Sequence, residues 1–256
     1  MTDLTGRTAL ISGASRGIGA AIARTLAARG ADIAINYHSS RDAAEAVAKE
    51  VRSLERRAAV FQADVTDEAE CGKMVDAVLS EFGSIGILIN NAGIGSASVG
   101  QPPVADMSDA DLQKFLNTHV FGPLHLCRAI VPQMRKLKRG DVVMISSIAA
   151  QLYAPRMAVY GIAKAGMEAL AYTLAKEERE HRIRVNVVAP GLVNTDMGKS
   201  LMQFRAGIQD LHKLDADSPF GFVCEPDDIA NTVAFLVSDA ARYITNQRIT
   251  VNGGGF

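Results

Sequence analysis

Thr8-Ala9-Leu10-Ile11-Ser12, followed at once by Gly13-Ala14-Ser15-Arg16-Gly17-Ile18-Gly19, decides the fold. The first stretch reads as a short buried strand. Ile18, Ile22 and Leu26 then line one face of a helix that stops at Gly30, a good helix-ending residue. Gly13 permits a tight turn, and Gly17 and Gly19 let backbone and helix approach closely. The helix N-terminus offers free N–H groups to a pyrophosphate. A plain strand–turn–helix with convenient glycines is the competing reading. Here the strand and helix fall where dinucleotide binding requires them, and that reading is favoured.

Working outward, the same alternation continues to the C-terminus. Apolar strand signals occur at Ala31–Tyr37, Ala58–Phe61, Ile87–Ile89, Asp141–Ser146, Ile183–Ala189 and Ile249–Val251, with helical stretches between them. This rhythm predicts an α/β fold, a doubly wound Rossmann-type sheet with helices on both faces. Ligands in such sheets bind at the carboxyl ends of the strands. Ser12, Asn90, Ser147 and Pro190 all follow strand signals, so the motifs converge on one edge.

With 256 residues, 48% of them hydrophobic, the chain suits one sizeable domain. Its 27 basic and 28 acidic residues nearly cancel, which argues against nucleic-acid or membrane partners. No apolar run approaches the ~18 residues of a membrane span. The opening Met1-Thr-Asp-Leu-Thr-Gly6 lacks the basic start and apolar core of a secretory signal. Three cysteines at unrelated spacings predict neither disulfides nor a metal site. The expected compartment is the cytoplasm.

The chemistry points to Tyr160-Gly-Ile-Ala-Lys164, with Ser147 upstream at a strand end. A free phenol, with a pKa of about 10, is a poor acid–base group at neutral pH. Residues four apart share a helix face, so the Lys164 ammonium is expected to lower the Tyr160 pKa. The Ser147 hydroxyl would hold a carbonyl or alcohol oxygen beside the phenol. Tyr-x-x-x-Lys alone is weak evidence, since an amphipathic helix gives the same spacing; the strand-end serine strengthens it.

With its Gly-x-x-x-Gly-x-Gly turn and Ser/Tyr/Lys set, the chain resembles the short-chain dehydrogenase/reductase family. The resemblance runs almost full length and implies a mostly parallel seven-stranded sheet. It assigns Asp64-Val65 to the adenine, Asn90-Asn91-Ala92-Gly93 to the central sheet and cofactor border, and Asn117 to a catalytic relay that holds water near Lys164. Pro190-Gly191, Val193 and Thr195 match the segment at the nicotinamide carboxamide, and Val251-Asn-Gly-Gly254 matches the usual ending. Lys164 would also bind ribose hydroxyls. The resemblance divides the single domain into a cofactor half, about residues 1–140, and a catalytic and substrate half, about 141–256. Within the second half, residues of about 192–225 form a flap, whose weak periodicity leaves Met197, Leu201, Met202 and Phe204 as either flap surface or routine packing.

In relatives that prefer NAD, an Asp ends the second strand; here that position is Tyr37. Arg16 can reach a 2′-phosphate, helped by Ser39, Ser40 or Arg41, so NADP(H) is expected over NAD(H). Gly122-Pro123 is expected to interrupt the helix carrying Asn117, since Pro123 cannot donate to the carbonyl of His119. Small residues Ala165, Met167, Ala169 and Ala171 suit either a helix–helix contact in a homotetramer or packing on the chain's own sheet.

The substrate is expected to be a carbonyl/alcohol pair, and the nearest branch is that of the β-ketoacyl-acyl carrier protein reductases. Arg135, Lys136, Lys138 and Arg139, with Arg182 and Arg184, are read either as a face for an acidic carrier protein or as solvated helix ends. Pro219-Phe-Gly-Phe222-Val-Cys224, Thr245-Asn-Gln247 and a lengthened stretch around Pro102-Pro103 depart from that branch. A different ketone, sugar or polycyclic alcohol therefore stays open. A nucleotide-sensing protein without turnover is the rival from another class.

Overall fold

The computed structural model describes residues 3–255; Met1 and Thr2, within the segment read for a leader, and Phe256 lie outside the described residues. Elements run β1 (Thr8–Ile11), α1 (Gly17–Ala27), β2 (Asp32–Tyr37), α2 (Arg41–Ser53), β3 (Ala58–Gln62), α3 (Glu68–Phe82) and β4 (Ile87–Asn90). There follow α4 (Asp109–Leu116), α5 (Gly122–Met134), β5 (Gly140–Ile145), α6 (Ala149–Leu152), α7 (Ala158–Glu177), β6 (Ile183–Pro190), α8 (Asp196–Ala206), α9 (Pro226–Leu236) and β7 (Arg248–Val251). The strands pair in the order β3-β2-β1-β4-β5-β6-β7, and every pairing is parallel.

A parallel sheet is covered on both faces, so its strands are apolar on both sides rather than alternating. Ala9, Ile11, Ile33, Ile35, Ile87 and Ile89 face a core shared with α1, α2 and α9. Leu10, Ala34, Leu88, Val142 and Met144 face the other core, shared with α3, α5 and α7. Leu10 and Leu88 are fully buried, and truncating either to Ala would cost ~2–5 kcal/mol.

β1 has β2 on one side and β4 on the other, so the strand order reverses there. The crevice at that switch point is where such folds bind nucleotides. Ser12 stitches it together: its Oγ accepts the backbone N–H groups of Asn91 at 2.9 Å and Ala92 at 3.0 Å.

Two expectations need correction. Gly122-Pro123 does not break the helix: α4 and α5 are joined by one widened π turn, Asn117–Phe121, in which the Gly122 N–H donates to the Asn117 carbonyl. The wider turn absorbs proline's missing donor. The flap is also more ordered than its periodicity implies. Thr195 Oγ1 accepts the Gly198 N–H at 3.1 Å to start α8, and Gly207 at φ 69° ends it.

Candidate active site

The glycine turn is built by close approach. Gly13 has φ 61°, and a Cβ there would lie 2.8 Å from the Cα of Ala92. Its N–H donates to Asn36 Oδ1 at 3.1 Å, while Asn36 Nδ2 donates to the carbonyls of Tyr37, Phe61 and Ala63. Asn36, missed by the sequence argument, thus locks the turn to the ends of β2 and β3. Asn91 Nδ2 donates to the carbonyls of Ser12 and Gly13, both at 3.0 Å, so its side chain shapes the turn.

Helix α1 starts at Gly17 with no side chain capping it and no acidic residue in its first turn. Its first N–H groups lie outside the helical ladder, which suits an anion. Ser15 and Ile18 are half-buried beside this turn, and Arg16 is exposed. A cleft of about 430 Å³ flanks it, lined by Arg16, Gly17, Thr195, Asp196 and Lys199 among others. Ser147 and Tyr160 do not line that cleft. Arg16 pairs with Asp196 at 3.7 Å, both side chains 70% exposed, which is a weak tie in water.

At the end of β2, Tyr37 is buried in the core with α1 and α2. It contributes the absence of a carboxylate, not an open cofactor surface. The exposed residues there are His38 and Ser39. His38 Nε2 lies 3.7 Å from Asp64 Oδ2, and Asp64 Oδ1 accepts from Thr66. Val65 is buried, and its carbonyl contacts His125 Nδ1 at 3.1 Å. On the opposite wall, Gly191 donates to the Val251 carbonyl at 2.9 Å, Ile148 donates to the Pro190 carbonyl, and Val193 bridges to Cys224. A Cβ on Gly17 would touch the Thr195 methyl at 3.4 Å, so Thr195 stands directly over the glycine turn.

Ser147, Tyr160 and Lys164 do come together past the end of β5. The Ser147 hydroxyl accepts the Ala149 N–H at 3.2 Å and sits close enough to the Tyr160 phenol to pull its pKa down. Lys164 Nζ donates to the Ile145 carbonyl at 2.7 Å and lies 5.6 Å from the centre of the Tyr160 ring. Tyr160 is half-buried as a whole, yet the packed surroundings of its phenol push the pKa up to about 12, against a downward pull from Ser147. Burial pulls Lys164 down to about 7, with Glu168 opposing. The expected lowering of Tyr160 by Lys164 is therefore corrected: both groups lose water around their charged forms, and the lysine is itself near half-charged at neutral pH. The phenol keeps its proton.

Asn117 is not part of this group. Its Oδ1 accepts from Gln113 Nε2 at 2.7 Å, and residues two apart on a helix point to opposite sides. His119, at 0% exposure, takes the inward position. Its ring meets Tyr160 edge-on with centroids 5.4 Å apart, and Phe115 packs against both rings. His119 Nε2 lies 3.0 Å from the Ile94 carbonyl and 3.4 Å from the Ile94 N–H, and the shorter contact, to a group that can only accept, favours the tautomer with its proton on Nε2. Nδ1 then carries a buried lone pair with no partner. Burial first, and the Lys164 charge second, hold His119 well below the usual histidine pKa. A Cβ on Gly93 would lie 2.7 Å from His119 Cε1, which explains the glycine.

Three of the six basic residues read as a carrier-protein face or as solvated helix ends are instead tied to buried carboxylates. Arg135 is bonded to the buried Glu178, and Arg139 and Arg184 clamp the buried Asp141 together with Arg7. These residues lie at or just before the amino ends of β1, β5 and β6, whereas Ser147 follows the carboxyl end of β5. The basic run points away from the chemistry.

Fold and site together define a dinucleotide-dependent oxidoreductase. Residues 13–255 match the family model described as enoyl-(acyl carrier protein) reductase. The chain is 38% identical over 248 residues to a 3-oxoacyl-(acyl-carrier-protein) reductase of Staphylococcus epidermidis, covering 97% of this chain and 98% of the relative. It is likewise 38% identical over 250 residues to that of Escherichia coli, covering 97% of each. Among solved structures, a 7α-hydroxysteroid dehydrogenase complexed with NADH and 7-oxo glycochenodeoxycholic acid superposes with TM-score 0.90 at 34% identity, covering 99% and 96% of the two chains. Carveol dehydrogenase from Mycobacterium avium, in complex with NAD, gives TM-score 0.90 at 30% identity over 99% of both. The chain belongs to the short-chain dehydrogenase/reductase family. It is an oxidoreductase that acts on carbonyl and alcohol groups with a nicotinamide cofactor. Among the described residues there is no cluster suited to a metal and no helix long and apolar enough to cross a membrane.

Proposed function

We propose that the protein reduces 3-oxoacyl thioesters with NADPH. The observation that carries this is the gathering of Tyr160, Ser147 and Lys164 past the end of β5, in a chain related over nearly its full length to 3-oxoacyl reductases. The uncapped start of α1 and the Cβ-free approach of Gly13 to Ala92 suit a pyrophosphate. Asp64 and Val65 border the adenine, and Pro190, Gly191, Val193 and Thr195 border the nicotinamide. Arg16, Ser39 and His38 are exposed where a 2′-phosphate would lie, and no carboxylate ends β2.

When bound, a nicotinamide would supply the hydride for the carbonyl carbon. Ser147 donates a hydrogen bond to the carbonyl oxygen as charge builds on it. Tyr160 gives its phenolic proton to that oxygen, leaving an alcohol and a tyrosinate. A phenol held near 12 keeps that proton ready through neutral pH. Lys164, once charged, stabilises the tyrosinate and the ribose hydroxyls. Neutral His119 walls the other side of Tyr160 and replaces Asn117 in our assignment. The enzyme works as a cytoplasmic homotetramer, in keeping with three unpaired thiols and the outward face of α7.

A second reading, an apolar cyclic ketone, draws on the exposed Met197, Phe204, Phe220 and Phe222 of the flap. A panel with NADPH decides between them: acetoacetyl thioesters, simple ketones, sugars and steroid ketones. Thioester reduction well above the rest is expected. Background thioester turnover beside brisk steroid reduction would transfer the assignment to the second reading.

A further inference from the structure

Three consecutive residues at the end of β5 are each held by a different charged side chain. Lys164 takes the Ile145 carbonyl at 2.7 Å. Glu168 Oε1 accepts from Ser146 Oγ at 2.6 Å. Arg248 Nη2 donates to the Ser147 carbonyl at 3.2 Å, and its Nε donates to the same Glu168 oxygen at 3.0 Å. Glu168 is only 4% exposed, and Lys164 only 3%.

We propose that Glu168 and Arg248 form a charged clasp that positions Ser147 and sets the charge state of Lys164. A buried carboxylate is costly to desolvate unless paired, and ordinary packing would use an apolar residue here. Glu168 follows Lys164 by one helical turn, so its charge is near enough to favour the charged lysine while the carboxylate itself bonds Arg248. Lys164 is faced by Tyr160 and Glu168 on its own helix and by His119 from the π turn. Glu168 is faced by Arg248 from β7, Ser146 just past β5 and Tyr172 on its own helix. Of these, only Glu168 favours the charged lysine, and Arg248 competes for its field. The two clasp residues thus pull Lys164 in opposite directions.

The inference rests on the proposed roles of Ser147, Tyr160 and Lys164, and its test separates the two. The pH dependence of kcat for ketone reduction and of NADPH affinity by fluorescence titration are measured on the full-length protein. Glu168→Gln keeps the volume and an acceptor for both partners but removes the charge. The high-pH limb of both profiles should move down by on the order of one pH unit. Arg248→Met leaves the carboxylate unpaired, and the limb should move up by a similar amount. Arg248→Lys should bring the limb back toward its wild-type position. It also serves if the methionine variant fails to melt cooperatively. Both position-disturbing variants should lower kcat at least fivefold with less change in ketone KM. Limbs that move the same way, or an unmoved limb in either folded variant, would overturn the clasp. A wild-type protein that binds NADPH but reduces no ketone would instead sink the proposed function, and the binding profiles would still read the clasp.

Discussion

His119 and Tyr160 stand edge to face, ring centroids 5.4 Å apart and planes at 90°, on the inward side of the π turn that carries Asn117 outward. On the proposed mechanism this relationship moves the helper role by two residues. His119→Phe keeps the packing but loses the bond to the Ile94 carbonyl and the free Nδ1 lone pair. An orphaned buried carbonyl costs ~1–3 kcal/mol, so the ring would lose its fixed orientation. We expect kcat to fall at least about tenfold for His119→Phe, and to stay within about twofold for Asn117→Ala. Steady-state kinetics at saturating cofactor decide it; a large loss on Asn117→Ala alone would restore the sequence-based assignment.

Tyr160→Phe removes the proton donor and little volume. Turnover should drop by ~10²–10⁴-fold, the usual weight of one acid–base group. NADPH affinity by fluorescence titration should stay within a few-fold of wild type. Near-normal turnover would place the proton on another group.

The strand–turn–helix at Gly13 and the strand-end Ser147 were legible because parallel strands are simple apolar runs and the turn needs glycines. The Tyr160/Lys164 pair was legible from its helical spacing once the strand-end Ser147 was read with it. Which residue of Asn117 and His119 faces inward was not, because a π turn changes the rotation per residue and leaves no periodic mark. The direction of the Tyr160 shift was hidden for another reason: it depends on how much water the fold removes from both partners. The basic run around Arg139 misled because a sequence shows charges but not which end of the sheet they occupy, nor that Asp141 lies among them.

Cofactor choice should rest on exposed residues near the end of β2, since Tyr37 is buried. Arg16→Ala should lower kcat/KM for NADPH by on the order of tenfold, one charge-assisted contact, and leave NADH nearly unchanged. His38→Asp places a carboxylate at the exposed position and should push preference toward NADH. Asp196→Asn frees Arg16 from its ion pair and should favour NADPH slightly. A wild-type preference for NADH would remove the basis for all three.

Lys164 also gives the ligand-free protein a characteristic pH dependence. Its folded pKa of about 7 lies below the ordinary 10.5, so between those values the unfolded chain binds a proton the folded one lacks. Stability therefore rises with pH in that window. Cys71, Cys127 and Cys224, raised by burial from 9.0 to about 12, act oppositely above pH 9. The rise attributable to Lys164 should show between pH 7 and 9, at up to about 1.4 kcal/mol per pH unit. Urea denaturation of wild type and Lys164→Met at several pH values checks this; parallel curves for the two would mean the folded lysine is not depressed.

The four small or flexible residues of α7 named as a helix–helix contact divide once the helix is placed. Met167 and Ala171 are buried against the sheet, whereas Ala169 is exposed and Ala165 half-buried. Ile162, 45% exposed, shares the outward side with Ala165 and Ala169 at helical spacing. Small residues there allow close approach of a second helix, and an exposed isoleucine among them gains by being covered. If a homotetramer forms through this face, Ala169→Glu should add a charge to its middle without entering the core. Light scattering at micromolar concentration should then show a mass of four chains for wild type and a smaller species for the variant, with its thermal melting still cooperative. An unchanged tetramer would place the interface on another face, and a monomeric wild type would reject the assembly.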